Sequence, residues 1–201
     1  MPTGTCELAA RCGSSVGQMR RWNRYAHLFV EQVRIRRART ADVPAIRRLV
    51  DMHAGDGPRM LRKSTVTLYE DVQEFWVAED DSAAILGCGA LHVMWEDLAE
   101  VRTVAVDPGY RGRGVGHHVV RRLLENAREL GVRRVFCLTF EVEFFARHGF
   151  RPILGAPVSH EVYEELLRSY DEGVAEFLEL DRVKPNTLGN TRMLLRLEDA
   201  Q

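Results

Sequence analysis

The stretch RGRGVGH, 111–117, places three glycines within seven residues and sets two arginines among them. Glycines let a backbone approach a ligand closely. The unpartnered N–H groups at a helix start carry positive potential, and guanidinium groups add charge-assisted bonds to anionic oxygens. The stretch therefore reads as an anion site, with Arg111, Gly112, Arg113, Gly114, Val115, Gly116 and His117 as candidate members. A plain flexible turn is the alternative. Gly116 is followed by His117-His118, not by the Lys-Ser/Thr of a P-loop, and no dinucleotide pattern follows the first strand.

Other reactive residue types point to less. Cys88 and Cys137 sit in apolar strand-like runs and read as small core residues, and Cys6 and Cys12 as unpaired thiols. His53, His92, His117, His118 and His148 are not spaced as a metal set, so no metal is expected.

The elements that would position the loop can be read from periodicity. VRIRRA, 33–38, alternates as a strand, and TADVPAIRRLVDMHA follows as a helix with Thr40 or Asp42 as its cap. VTLYEDVQE reads as a second short helix. FWVAED and AAILGCGALHVMW form a hairpin around Asp80-Asp81-Ser82, and AEVRTVAVDP is a third strand that runs into the glycine loop. Val119, Val120, Leu123, Leu124, Ala127 and Leu130 recur at helical spacing after it. VRRVFCLTF reads as a strand, EVEFFARHG as a short helix and FRPIL as a strand. SHEVYEELLRSYDEGVAEFLEL, 159–180, is predicted as one helix, and TRMLLRL, 191–197, as a last strand. The order implies an α/β protein with a mixed sheet covered by helices.

Composition sets bounds. The chain has 201 residues, 45% hydrophobic and 28% charged, with a net charge of −1. That suits one globular domain with a real core, with no global field for nucleic acid or acidic membrane and no apolar run long enough to span a bilayer. With no secretory signal, a cytoplasmic enzyme is the default. Residues 1–32 read as an N-terminal extension, expected to be flexible and without catalytic part, or as an upstream start in the gene. The segment MRRWNRYAHLFVEQ within it can also be read as a short amphipathic helix.

The run VRTVAVDPGYRGRGVGHHVVRRLLENARELGVRRVFCLTF carries R-x-x-G-x-G as Arg111, Gly114 and Gly116, between a strand ending in Asp-Pro and a helix. It resembles the acetyl-CoA loop of the GCN5-related N-acetyltransferases (GNAT), and FFARHGF resembles that family's later helix-to-strand turn. The likeness covers about 33–197, so residues 33–201 read as a GNAT domain with acetyl-CoA as co-substrate. It implies a central mixed sheet flanked by helices, its two middle strands splayed. Val104, Ala105 and Val106 would lie along the exposed edge that pairs with the pantetheine arm. The N–H groups of residues 112–117 would wrap the pyrophosphate.

Four further pieces resemble the amino-acid N-acetyltransferases that make N-acetylglutamate: ALHVMWEDLAEVRTVAVDP, MLRKSTVTLYEDVQEFWVAE, FCLTFEVEFFARHGF and VKPNTLGNTRMLLRL. The likeness is to the short actinobacterial type without an amino-acid-kinase domain, for which this length leaves no room. It implies transfer of acetyl to the α-amine of glutamate, the first step of arginine biosynthesis. Glu100 falls where that family places a base acting through water; a strand-end glutamate bridging to Arg102 is the alternative. Thr139 matches a hydroxyl that would serve the departing thiolate, or it only caps its strand. Phe145 stands where many relatives carry a tyrosine acid. Lys63 and Arg62, with Asn190 and Thr191, match substrate-contacting positions. Gly189 stands where the longer enzymes have an arginine, so unless Lys184 replaces it the anionic clamp is weaker and glutamine could be accepted. A homodimer and feedback by arginine are left open. The rivals are an acetyltransferase for another amine and a non-catalytic sensor of acetyl-CoA and arginine.

Overall fold

A computed structural model describes residues 33–54, 63–156, 158–169, 171, 174, 178 and 189–197. The expectations for residues 1–32, Arg62 and Lys184 lie outside the described residues. The alternating and apolar runs become β1 (Arg34–Arg37), β2 (Phe75–Glu79), β3 (Ile85–Trp95), β4 (Leu98–Val106), β5 (Arg134–Thr139), β6 (Arg151–Pro152) and β7 (Thr191–Arg196). The helical patterns become α1 (Val43–Ala54), α2 (Thr65–Glu70), α3 (Val115–Glu129), α4 (Val142–Ala146) and α5 (His160–Leu166).

The strands form one mixed sheet in the order β1-β2-β3-β4-β5-β7-β6. Every neighbouring pair is antiparallel except β4 and β5. That parallel pair is short: Leu98, Ala99 and Glu100 face Arg134, Val135 and Phe136, and there the pairing stops. Beyond it β4 runs on to Val106 and β5 to Thr139, leaving facing edges unpaired in a V whose apex is Glu100. The splay implied by the resemblance is present.

β4 also carries a bulge that periodicity does not reveal. Cys88 faces Ala105 and Ala90 faces Arg102, so Thr103 and Val104 together stand against Gly89. Thr103 takes a φ of 56°, uncommon for a β-branched residue. Such an insertion re-aims the side chains beyond it.

The two sheet faces are built differently. On one, α3 buries Val115, Val119, Val120, Leu123, Leu124 and Ala127 against Leu91, Ala99, Val101, Val135 and Cys137. Each such side chain contributes about 1.5–3 kcal/mol by leaving water. On the other face, α1 and Leu68 of α2 cover Phe75, Val77, Cys88, Ala90 and Ala105. Farther along that face, Leu166 of α5, Val174 and Leu178 cover Met94, Leu98 and Phe136. Strand alternation puts His92 between Met94 and Ala90, and Glu100 and Arg102 between Leu98 and Ala105. A polar strip therefore separates the two apolar clusters.

Close approach of α3 to the sheet depends on Gly89. A Cβ there would stand 2.8 Å from Val119 Cγ1 and 3.0 Å from Leu123 Cδ1. Gly89→Val is expected to lower stability by about 1–3 kcal/mol through overpacking, read from urea unfolding. An unchanged midpoint would contradict this packing.

Three local expectations are corrected. The helix predicted across 159–180 stops at Leu166. Ser169 Oγ accepts from the Asp171 amide and Asp171 Oδ1 from the Val174 amide, so the short polar side chains interrupt one helical run and cap the next turn. The strand at FRPIL is reduced to Arg151–Pro152. At α1, Thr40–Asp42 form a 3-10 turn first, and Asp42 accepts from the Arg39 amide rather than capping forward.

Candidate active site

The glycine loop forms as its composition suggests. Gly114 takes a φ of 86°, a conformation that a Cβ would strain, and α3 starts at the next residue. The first in-helix acceptor, Gly114 O, takes the His118 amide at 3.1 Å. The amides of Val115, Gly116 and His117 therefore point out of the helix N-terminus. Gly112 and the exposed Arg111 and Arg113 line the approach. Arg113 differs from expectation in one respect: its own amide donates to Tyr110 O at 3.3 Å. The His117 ring shares a 2.8 Å hydrogen bond with His148 and packs 4.6 Å from Phe144. Burial first, then the charge of Arg147 and Arg121, holds His117 below its usual range, and burial pushes His148 down to about 4. His117 is thus a neutral packing residue in side chain, and only its amide suits an anion.

The V adjoins this loop. Ala105 is buried under α1, while Val104 and Val106 are half-buried on the α3 side. The Val106 carbonyl accepts from His53 Nε2 at 2.8 Å, a contact from α1 that motif reading does not reveal. The unpaired β4 edge, glycine turn and outward amides fit an extended arm ending in phosphates.

At the apex, Glu100 is 4% exposed. Its Oε2 is buried and makes no hydrogen bond among the described residues, with Arg102 Nη1 at 4.0 Å. Burial pushes the carboxyl up to about 7; Arg102, His92 and Lys63 oppose the shift and Asp171 adds to it. A carboxylate of that affinity exchanges protons near neutrality.

Arg102, the partner in the salt-bridge alternative for Glu100, stands at 4.0 Å and has closer partners. Its guanidinium donates to Asp171 at 2.8 Å, Glu74 at 2.9 Å and Asp71 at 3.3 Å. His92, the register partner of Glu100, lies 2.6 Å from Glu74. Lys63 joins the same cluster through Asp71 at 3.1 Å. Sequence reading singled out Lys63 and Glu100 but missed Glu74, Asp71, His92 and Asp171. The only local signal was Glu100 and Arg102 two apart on one strand face.

Thr139 is less clearly placed for chemistry. Its Oγ1 accepts from the Glu141 amide at 2.9 Å, holding the turn into α4, and the hydroxyl proton remains free to donate. By alternation it shares the α3 face with Val135 and Cys137, opposite to Glu100. Asn190 and Thr191 open β7, and Thr191 pairs in register with Thr139. Phe145 is core, edge-on to Phe144 and Phe150. Cys137 is fully buried with its thiol pushed up by burial, which makes it a poor nucleophile.

The sheet with its parted middle strands and the glycine-led helix define a class of acyl-CoA-dependent transferases. Residues 46–150 match the acetyltransferase (GNAT) family, and the chain belongs to it. An amino-acid acetyltransferase of Mycobacterium tuberculosis is 64% identical over 165 residues, 81% of this chain and 94% of that protein. A crystal structure from the same organism, in complex with CoA, has a TM-score of 0.78 at 62% identity. That match covers 82% of this chain and 99% of the other. N-acetylglutamate synthase of Neisseria gonorrhoeae, complexed with coenzyme A and N-acetyl-glutamate, has a TM-score of 0.65. At 24% identity, over 83% of this chain and 35% of that one, it shares the fold.

Proposed function

We propose that this chain transfers the acetyl group of acetyl-CoA to the α-amine of L-glutamate, with L-glutamine as a second acceptor. It would thereby start arginine biosynthesis. The observation that carries the reading is the buried Glu100 carboxylate at the apex of the V, one oxygen without a hydrogen bond. Acetyl-CoA supplies an activated acetyl thioester. The residues of the chain do the rest. The amides of Val115, Gly116 and His117, with Arg111 and Arg113, hold the phosphates, and the β4 edge at Val104–Val106 aligns the arm. Glu100 takes a proton from the acceptor ammonium through water, since only the free amine attacks a thioester. Thr139 is assigned to hydrogen-bond the departing thiolate. Lys63, Arg62, Asn190 and Thr191 are assigned to the acceptor carboxylates. Gly189 adds no charge to that clamp, which is why glutamine is included.

The test is thiol release from acetyl-CoA against each common amino acid, with an enzyme-only blank. Turnover with glutamate or glutamine alone is the expected result. Turnover with peptides only, or acetyl-CoA binding without turnover, would overturn it. The loop gives a second test. Gly114→Val forces a branched side chain into the left-handed region and splays the first helical turn. Its Kd for acetyl-CoA is expected to rise about tenfold or more, the loss of one or two charge-assisted bonds, by calorimetry. An unchanged Kd would remove the loop from the cofactor site.

A further inference from the structure

Proton stoichiometry leaves a task that Glu100 cannot complete alone. The acceptor enters as an ammonium and leaves as a neutral amide, so it sheds two protons per turnover. One ends on the thiol of CoA, and the other must reach solvent. Glu100, whose side chain is 6% exposed, meets little solvent itself, so a second group would serve as the route out.

The strip beside it supplies one. His92 and Glu100 are direct partners across β3 and β4, so their side chains leave the same face about 5 Å apart at Cβ. His92 is more open, 20% exposed, and Glu74 is 23% exposed at the rim. His92 Nδ1 lies 2.6 Å from Glu74 Oε1, and a ring donating there keeps Nε2 as the acceptor. Nε2 faces Asp171 Oδ2 at 3.9 Å, too far for a hydrogen bond that would occupy it.

We infer that His92, oriented by Glu74, carries the proton taken up by Glu100 out to solvent, a relay that rests on the acetyltransferase reading above. No ring nitrogen of His92 lies within 4.0 Å of a Glu100 oxygen, so one water carries the step: the Glu100 O–H bond breaks as a bond to that water's oxygen forms, and the same water gives a proton to Nε2. The imidazolium then releases that proton to water, and both groups return to their starting state. The charged groups around the ring are balanced for this. Glu74 and Asp171 favour the imidazolium, Arg102 opposes it from 3.1 Å, and Lys63 and Asp71 stand one partner further away. Burial works against the charged ring, and Glu74 with Asp171 outweighs it, so His92 titrates above its usual range.

The experiment compares wild type, His92→Gln and Glu74→Gln in dilute buffer, with and without added imidazole. The wild type is expected to ignore imidazole. His92→Gln is expected to lose about tenfold or more in kcat, at the low end for a proton-transfer group. Its KM for both substrates and its acetyl-CoA Kd should hold, and imidazole should restore kcat in proportion to its concentration. Glu74→Gln is expected to move the acidic limb of kcat to lower pH, because the ring loses its carboxylate. An unchanged kcat in dilute buffer, or a loss that imidazole does not relieve, overturns the relay. If His92→Gln fails to fold, an unshifted limb in Glu74→Gln overturns it instead. A wild type without turnover on either amino acid removes the acetyltransferase reading and the relay with it; a working wild type beside an indifferent His92→Gln removes the relay alone.

Discussion

Replacing Glu100 by glutamine is expected to lower kcat by about 10²–10⁴-fold, the range for loss of a general base, while acetyl-CoA still binds. The variant is also expected to be more stable than wild type at pH 8. Burial raises the folded-state carboxyl from 4.5 to about 7, so between these values the folded chain holds a proton that the unfolded chain has released. Stability therefore falls as pH rises through that window and is level above it. The shift corresponds to about 3 kcal/mol. Glutamine, neutral throughout, escapes the loss: the variant and wild type should melt together near pH 4 and separate in favour of the variant by pH 8. Thermal melts at the two pH values, beside the kcat–pH profile, check both halves. A variant that keeps its turnover removes the base, and one that is less stable at pH 8 removes the unpaired carboxylate.

Arg102→Met is expected to have the largest effect on stability. The guanidinium is 9% exposed and holds Asp171, Glu74 and Asp71 within 3.3 Å. Removing it takes the shared cation from three carboxylates that are a fifth to a quarter exposed, leaving Asp71 to Lys63, and Glu74 and Asp171 to His92. The cost is about 3 kcal/mol, the lower end for a broken buried pair because water reaches these groups. The effect has a pH signature. Arg102 offsets burial to hold Asp171 below its ordinary 3.8, so the pairing contributes fully above that value and is lost as pH falls below it. The gap between variant and wild type should therefore close in acid. Arg102 also restrains Glu100, so surviving activity should show its acidic limb at higher pH than wild type. A gap that persists below pH 3 would mean that packing, not charge, is what Arg102 supplies.

Much of this was legible in the chain. Alternation and helical spacing recovered the main elements, because each buries one face and the pattern records which. The anion loop was legible because its chemistry is local: glycines, arginines and a helix start within seven residues. The charge cluster was not, because its members are distant in sequence. Arg102 meets Asp171 69 residues away and Glu74 28 away, and no spacing announces such a meeting. The bulge at Thr103 was hidden for another reason. Threonine is an ordinary strand residue, and its positive φ goes with the extra residue that the register inserts opposite Gly89. The broken helix after Leu166 was misread because Leu166, Val174 and Leu178 keep near-helical spacing, while Ser169 and Asp171 end the run through their own side chains.

The short pairing of β4 with β5 has a mechanical consequence. The sheet is two leaves, β1 to β4 with α3, and β5-β7-β6 with α4, and three residue pairs are their backbone seam. β5 is bound to β7 along its whole length, while across the seam α3 packs on both leaves, meeting Val135 and Cys137 as well as Ala99 and Val101. Under the proposed reading, a ligand arm lying in the V would fasten both leaves at once, as a removable length of strand. The substrate would thus also be a structural member, set between leaves whose strands pair directly through three residue pairs.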